Sequence, residues 1–256
     1  MNFALLSDTH ISGPSDLVAF GQSPAPNLES AVRQILEFDP EFVLLNGDCA
    51  FRIGLPESYA KIDRLLAPLK EAGIPCHLLA GNHDNPDAMA QEIRDLRVVE
   101  AGPAVLLLLN TQIAPTVVPG RIGQSQLDRL HKTLAHYEDR PVMIFGHHNP
   151  AQPERTDCDH GIGLLDSERW MQFLEDHPQV RAYVFGHTHS WHVSESSTGW
   201  LVNLPACGFS FYENRPTGWV AGKLDERGCE LELRAFDPQH PQAGDKARIP
   251  WSPDPA

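Results

Sequence analysis

The stretch YVFGHTHSW, Tyr183 to Trp191, runs an apolar segment of strand length into a glycine and then into two histidines one residue apart. A short apolar run bounded by a turn residue reads as a buried strand, which places His187 and His189 in the loop just past its end. Taken alone the pair decides little, because an HxH triplet arises easily and a lone loop histidine is ordinarily a solvated or hydrogen-bonded side chain. The arrangement recurs, however. NFALLS leads to Asp8 and His10, EFVLLN to Asp48, PCHLLA to Asn82 and His83, and PVMIFG to His147 and His148. Every cluster falls at the C-terminal end of a predicted strand, the rim of an α/β sheet where loops converge on a ligand.

The segments between these runs carry helical periodicity. From Asn27 to Phe38, the residues Leu28, Ala31, Val32, Ile35 and Leu36 share one face, and Asn27 is placed to cap it. Pro56 to Glu71 reads as a second helix, which Pro68 should end or kink. Ser125 with Asp128 resembles a capping box before Leu127, Leu130 and Leu134, and Ser167 to Asp176 should bury Trp170, Phe173 and Leu174. Beyond Ser190 the texture changes to short runs of Val, Trp and Leu separated by STG, ENRPTG and DERG, as in antiparallel strands joined by turns. The alternation predicts one α/β domain over residues 1–236, and the proline-rich polar stretch 237–256 reads as a loosely ordered C-terminal tail.

The 256 residues suffice to bury a substantial core. A formal net charge of −14 spread along the chain repels polyanions, so a nucleic-acid polymer is not an expected partner. No apolar run approaches the roughly 20 residues that span a bilayer, and the opening MNFALLSDTH lacks the basic region of a signal peptide. Five cysteines without CxxC spacing read as reduced thiols. These features fit a cytoplasmic protein with no membrane partner, and a homo-oligomer is compatible with them.

The residue types at the strand ends define a chemistry. Imidazole, carboxylate and amide oxygen, with Cys49 beside Asp48 as the one thiol in these motifs, suit Mn, Fe or Zn rather than a thiolate-bound structural zinc. The candidates Asp8, His10, Asp48, Asn82, His147, His187 and His189 are too many for one ion. They distribute over two ions if one carboxylate bridges, the arrangement that serves in-line displacement at phosphorus.

DTH, NGDC, GNHD, FGHHNP and FGHTH, in this order from Asp8 to His189, resemble the calcineurin-like metallophosphoesterase superfamily, whose pattern runs DxH, GD, GNH(D/E), a later His and GHxH. Within it, GRIGQSQLDRL and GIGLLDSERWMQFLEDHPQVRAYVFGHTH look like the bacterial class III cyclic-nucleotide phosphodiesterases and glycerophosphodiesterases. The resemblance implies a four-layer α/β/β/α sandwich with a dinuclear metal centre at the C-terminal ends of the strands. It implies that Asp8, His10 and His189 ligate one metal and Asn82, His147 and His187 the other, with Asp48 bridging; His148 competes with His147 for its place. His83 is then the catalytic residue, protonating the leaving oxygen or stabilising charge on the phosphoryl group. The implied reaction is hydrolysis of a phosphodiester of a small soluble substrate, a cyclic nucleotide or a glycerophosphodiester, by attack of a metal-bound hydroxide. The alternatives are a phosphomonoesterase on the same centre and a low-turnover metal-binding regulatory protein.

Two positions depart from the pattern. The superfamily often carries an aspartate shortly after the bridging one to orient the catalytic histidine, and GDCAFRIG has Phe51 there; Asp84 is either a substitute or the cap of a helix beginning near Pro86. Arg52 stands at an offset similar to that of an arginine with which protein phosphatases of the superfamily grip phosphate. Substrate contacts are expected from Arg52, His148, Asn149 and His160. Phe209, Phe211 and Tyr212 offer rings either to a nucleobase or to a sheet edge.

Overall fold

The computed structural model describes residues 1–13, 15–89, 96–150 and 163–252. Strands β1 (Asn2–Leu6), β2 (Val43–Asn46) and β3 (Cys76–Leu79) lie side by side in parallel, joined by helices α1 (Pro24–Phe38) and α2 (Pro56–Glu71). Parallel neighbours require such crossovers. A second sheet opens with β4 (Arg97–Ala101) antiparallel to β5 (Ala104–Leu108). To it β6 (Val142–Phe145) and β7 (Val180–Phe185) add in parallel, with α3 (Gln124–Leu134) and α4 (Ser167–Glu175) along the connections. The hairpin β8 (His192–Ser196) and β9 (Gly199–Asn203) extends this sheet, while β10 (Gly218–Asp225), β11 (Gly228–Ala235) and β12 (Lys246–Pro250) return to the first. The strand orders are β12-β11-β10-β1-β2-β3 and β4-β5-β6-β7-β9-β8.

Alternation along each strand sorts its side chains into layers. Phe3, Leu5 and Leu44 meet Leu106, Met143, Phe145, Val184 and Val202 between the sheets. On the other face of the first sheet, Ala4, Leu6, Val43 and Leu45 pack on Leu28, Val32 and Ile35 of α1 and on Ile62 and Leu66 of α2. Leu107, Ile144, Tyr183 and Phe185 do the same against Leu127 and Leu130 of α3 and Trp170 and Leu174 of α4. Strands covered on both faces need apolar residues at every position, which is why they stand out as unbroken runs. The result is the expected four-layer α/β/β/α sandwich.

Several local expectations are corrected. Helix α1 starts at Pro24, whose fixed φ suits a first turn, and Asn27 lies inside it with its amide donating to Gly208 O at 2.9 Å. Helix α2, by contrast, has the expected bounds Pro56–Glu71: it passes through Pro68 and stops within a turn of it, where Ala72 N–H bonds to Pro68 O at 3.1 Å. Helix α3 has no capping box: Ser125 is internal, and the Asp166 carboxylate accepts the N–H groups of Ile122 and Gly123 at 3.0 and 2.8 Å just before the helix starts. The segment after Asp237 is not a loose tail over its whole length, because Lys246–Pro250 pairs with β11 as an edge strand. Its pattern explains this: Lys246 and Arg248 are exposed while Ile249 is fully buried, the period-2 signature of a half-covered strand. No helix among the described residues is long and apolar enough to cross a membrane.

Candidate metal centre

The ends of β1, β2, β3, β6 and β7 bring their loops to one rim. Asp8, His10, Asp48, His187 and His189 all have positive φ, between 48° and 68°. Non-glycine residues adopt this left-handed conformation rarely, and such strain concentrates where function demands it. The glycines of the motifs permit close approach. A Cβ on Gly81 would sit 2.2 Å from Asp48 Oδ1, and one on Gly186 would sit 2.0 Å from Ser7 Oγ.

The side chains converge in two overlapping groups. Asp8 Oδ1 lies 3.3 Å from His189 Nε2 and 4.0 Å from His10 Nε2, and those two nitrogens are 3.0 Å apart. Asp48 Oδ2 lies 3.4 Å from His147 Nε2, 3.8 Å from His10 Nε2 and 4.0 Å from His83 Nε2, while its Oδ1 accepts the His83 backbone N–H at 2.8 Å. The His147 ring packs edge-on against that of His187, with centroids 5.1 Å apart. All of these residues are buried except His83, which is half-buried. Asn82 Oδ1 and His147 Nε2 are buried without a hydrogen-bond partner among the described residues. Buried polar atoms are almost always paired, so two unpartnered atoms with lone pairs to offer, beside carboxylates and imidazoles, fit metal ions, and the overlapping groups fit a dinuclear centre.

Second partners fix the imidazole tautomers. His147 Nδ1–H donates to Asn46 O at 3.0 Å and His189 Nδ1–H to Phe209 O at 2.6 Å, so that in the neutral ring each Nε2 presents a lone pair inward. His148 differs. Its Nε2–H donates to Val118 O at 3.1 Å and its Nδ1 accepts the Thr111 hydroxyl at 2.7 Å, which commits both nitrogens. Of the doublet, His147 is the one with an unpartnered nitrogen among the described residues, although His148 also lies with His147 and His187 in a group that could hold a metal ion. Burial opposes ionisation throughout, yet the neighbouring His189 holds the Asp8 carboxyl down at about 2, and His147 holds Asp48 well below the usual carboxylate range. Against the same burial, Asp48 raises His147 to about 9. Burial carries His10 down to about 3 and His148 well below its ordinary value.

Where the family often has an acid to orient the catalytic histidine, this chain has a carbonyl: His83 Nδ1–H donates to Arg52 O at 2.9 Å, from a backbone with φ of 63° at Arg52. Phe51 lies parallel to the His83 ring at 6.5 Å, and the exposed Arg52 guanidinium lies 5.3 Å from the Phe51 centroid. Among the described residues the Asp84 side chain makes no contact with His83, and the helix expected to begin near Pro86 would run into residues outside those described. The Asp84 carboxylate accepts the N–H groups of Cys49, Ala50 and Gly81 at 3.0, 2.9 and 2.9 Å and the Tyr59 hydroxyl at 3.1 Å. Burial and the nearby Asp48 push it up to about 6. His148 is corrected as a substrate contact, since it is buried with both nitrogens taken. Asn149 is fully buried, its amide donating to Pro150 O at 3.2 Å. His160 lies outside the described residues. The sequence reading missed Asn46, which also donates to Gly146 O at 3.1 Å, because an asparagine before glycine reads as a turn residue.

Comparison with known proteins agrees with this geometry. The chain is 32% identical over 190 residues to a 3′,5′-cyclic adenosine monophosphate phosphodiesterase of Pseudomonas aeruginosa, covering 72% of this chain and 68% of that one. It is 26% identical over 235 residues to a probable cyclic nucleotide phosphodiesterase of Synechococcus, covering 89% of each. In fold it is similar to a dimetal phosphatase of Danio rerio, with a TM-score of 0.77 at 16% identity over 98% of this chain and 99% of the other. The model of the calcineurin-like phosphoesterase family matches residues 1–191, and with the site just described it establishes that the chain belongs to that family and is a metal-dependent phosphoesterase.

Proposed function

We propose that this protein hydrolyses a phosphodiester bond of a small soluble substrate, a cyclic nucleotide in preference to a glycerophosphodiester, at two ions of Mn, Fe or Zn. In this reading Asp8, His10 and His189 hold one ion, Asn82, His147 and His187 hold the other, and Asp48 bridges. The observation that carries it is the position of Asp48 Oδ2, 3.8 Å from His10 Nε2 in one group and 3.4 Å from His147 Nε2 in the other. The relatives named as cyclic-nucleotide phosphodiesterases favour the cyclic substrate. The free state of Cys49, Cys76, Cys207 and Cys229 is compatible with a cytoplasmic location.

Bound there, the ions would supply positive charge for the phosphodiester anion and an activated water. The chain's own residues do the rest. Asn46 O and Phe209 O hold the Nδ1–H groups of His147 and His189, so that both rings face inward as neutral donors. Asp48 Oδ1 anchors the backbone of His83, and Arg52 O sets its ring with Nε2 on the open side of Asp48. From there a protonated His83 gives its proton to the leaving oxygen as the P–O bond breaks, and water completes a phosphomonoester and an alcohol. A neutral carbonyl thus takes the orienting place that the family often gives to a carboxylate.

With Mn²⁺ added, turnover of 3′,5′-cyclic AMP and of bis(p-nitrophenyl) phosphate is expected, and chelation should abolish both. Metal binding with no turnover of any phosphoester would sink this reading and favour the regulatory one. The exposed Arg52 on the loop that holds His83 favours a phosphomonoesterase as the second reading. Faster cleavage of p-nitrophenyl phosphate than of the diester, reversed by Arg52→Ala, would support it.

A further inference from the structure

Three phenylalanines from two separate parts of the chain meet beside the metal centre. Buried Phe209 stacks on the His10 imidazole with centroids 4.8 Å apart, and Phe211 stacks on that of His189 at 4.3 Å. Phe20 touches both, inclined 28° to Phe209 at 5.6 Å and nearly perpendicular to Phe211 at 5.4 Å. The backbone ties them to the centre: Phe209 O accepts from His189, and the Gln22 amide beside Phe20 donates to Ser210 O at 3.5 Å.

Phe20 is the informative member. Ala19 and Gln22 exchange two backbone hydrogen bonds of 2.9 Å, closing a two-residue turn in which Phe20 and Gly21 have φ of 50° and 74°. Such a turn favours Asn, Asp or Gly at its first position, because a bulky side chain is strained in the left-handed region. Burial does not offset that strain, since Phe20 remains 64% exposed; Phe211 beside it is 46% exposed. The fold thus holds two accessible aromatic rings at nearly a right angle, one of them in contact with a candidate ligand.

We propose that Phe20 and Phe211 form an aromatic subsite that receives the nucleobase of the substrate while its phosphate occupies the metal centre. This rests on the phosphodiesterase reading and assigns the organic part of its substrate. Rings at right angles offer a planar group one stacked and one edge contact, both favourable for aromatic systems, whereas an aliphatic headgroup gains neither. Because every base has a π-face, the subsite selects nucleotides over base-free esters without reading base identity.

The test compares kcat/KM of the Mn²⁺-loaded full chain for 3′,5′-cyclic AMP and for the same cyclic phosphate on a ribose carrying a methoxy group in place of the base. Wild type should prefer the nucleotide. In Phe20→Ala and Phe20→Asn the preference should fall about tenfold, mainly through KM, and Phe20→Tyr should retain it. Phe20→Asn should also raise Tm by about 2 °C or more, because asparagine tolerates the left-handed turn. Equal losses on both substrates, or a lowered Tm with an unchanged preference, would make Phe20 a structural residue and overturn the subsite. Wild type that cleaves both esters equally also overturns the subsite but leaves the phosphodiesterase reading standing; wild type that cleaves neither removes the cyclic-nucleotide reading and the subsite with it.

Discussion

The carboxylate of Asp48 stands within 4.0 Å of imidazole nitrogens from His10, His83 and His147, so one charge serves three rings. Asp48→Asn keeps the size and the acceptor for His83 N–H but removes that charge. Turnover should fall by more than about 100-fold, beyond the usual effect of substitutions behind the ligands, with loss of bound metal measured on the purified protein. The histidine doublet gives a sharper contrast: His147→Ala should lower metal content, while His148→Ala should leave it in place. Without metal, His147 titrates at about 9 in the folded chain against 6.5 unfolded. Its contribution to stability is then complete below pH about 6.5 and is lost as pH rises through about 9. Thermal melts of the chelated protein should show that alkaline loss. Mn²⁺ should reverse it, because a ligating imidazole must shed its proton and binds more tightly as pH rises.

Among the elements, Asp84 ties the loop after β2 to the loop after β3. Four donors converge on it, three of them backbone N–H groups with no alternative partner nearby among those described. Asp84→Ala should therefore destabilise by at least about 3 kcal/mol, against about 1 kcal/mol for Tyr59→Phe, which removes a single hydroxyl; denaturant titration measures both. The strands were legible in the sequence because two-sided burial leaves unbroken apolar runs such as VLLN and VMIF. Helix starts were less so. Asn27 and Ser125 look like caps, yet Pro24 begins α1, and the carboxylate of Asp166, far along the chain, holds the N–H groups ahead of α3. Local sequence cannot show a cap supplied by tertiary contact. The strand β12 was overlooked for a different reason, since a proline-rich setting masked the alternation of KARIP.

At the scale of the whole molecule, the metal centre sits where two sheets present their strand ends side by side, so its geometry depends on the packing between them. Phe145 is fully buried in that interface, and Phe145→Ala should cost about 3–5 kcal/mol and weaken metal retention together with stability. The sequence by itself determined which residues stand at strand ends, because donors and strands follow each other along one chain and apolar runs are local signals. It thereby determined the layered fold and the chemistry of the donor set. Only the tertiary structure decided that both nitrogens of His148 find hydrogen-bond partners while His147 Nε2 does not, that the Arg52 carbonyl holds the His83 ring, and that Phe20 meets Phe209 and Phe211. Each of these depends on backbone carbonyls, hydroxyls or rings brought together by sheet packing across long sequence separations, and no local pattern encodes that.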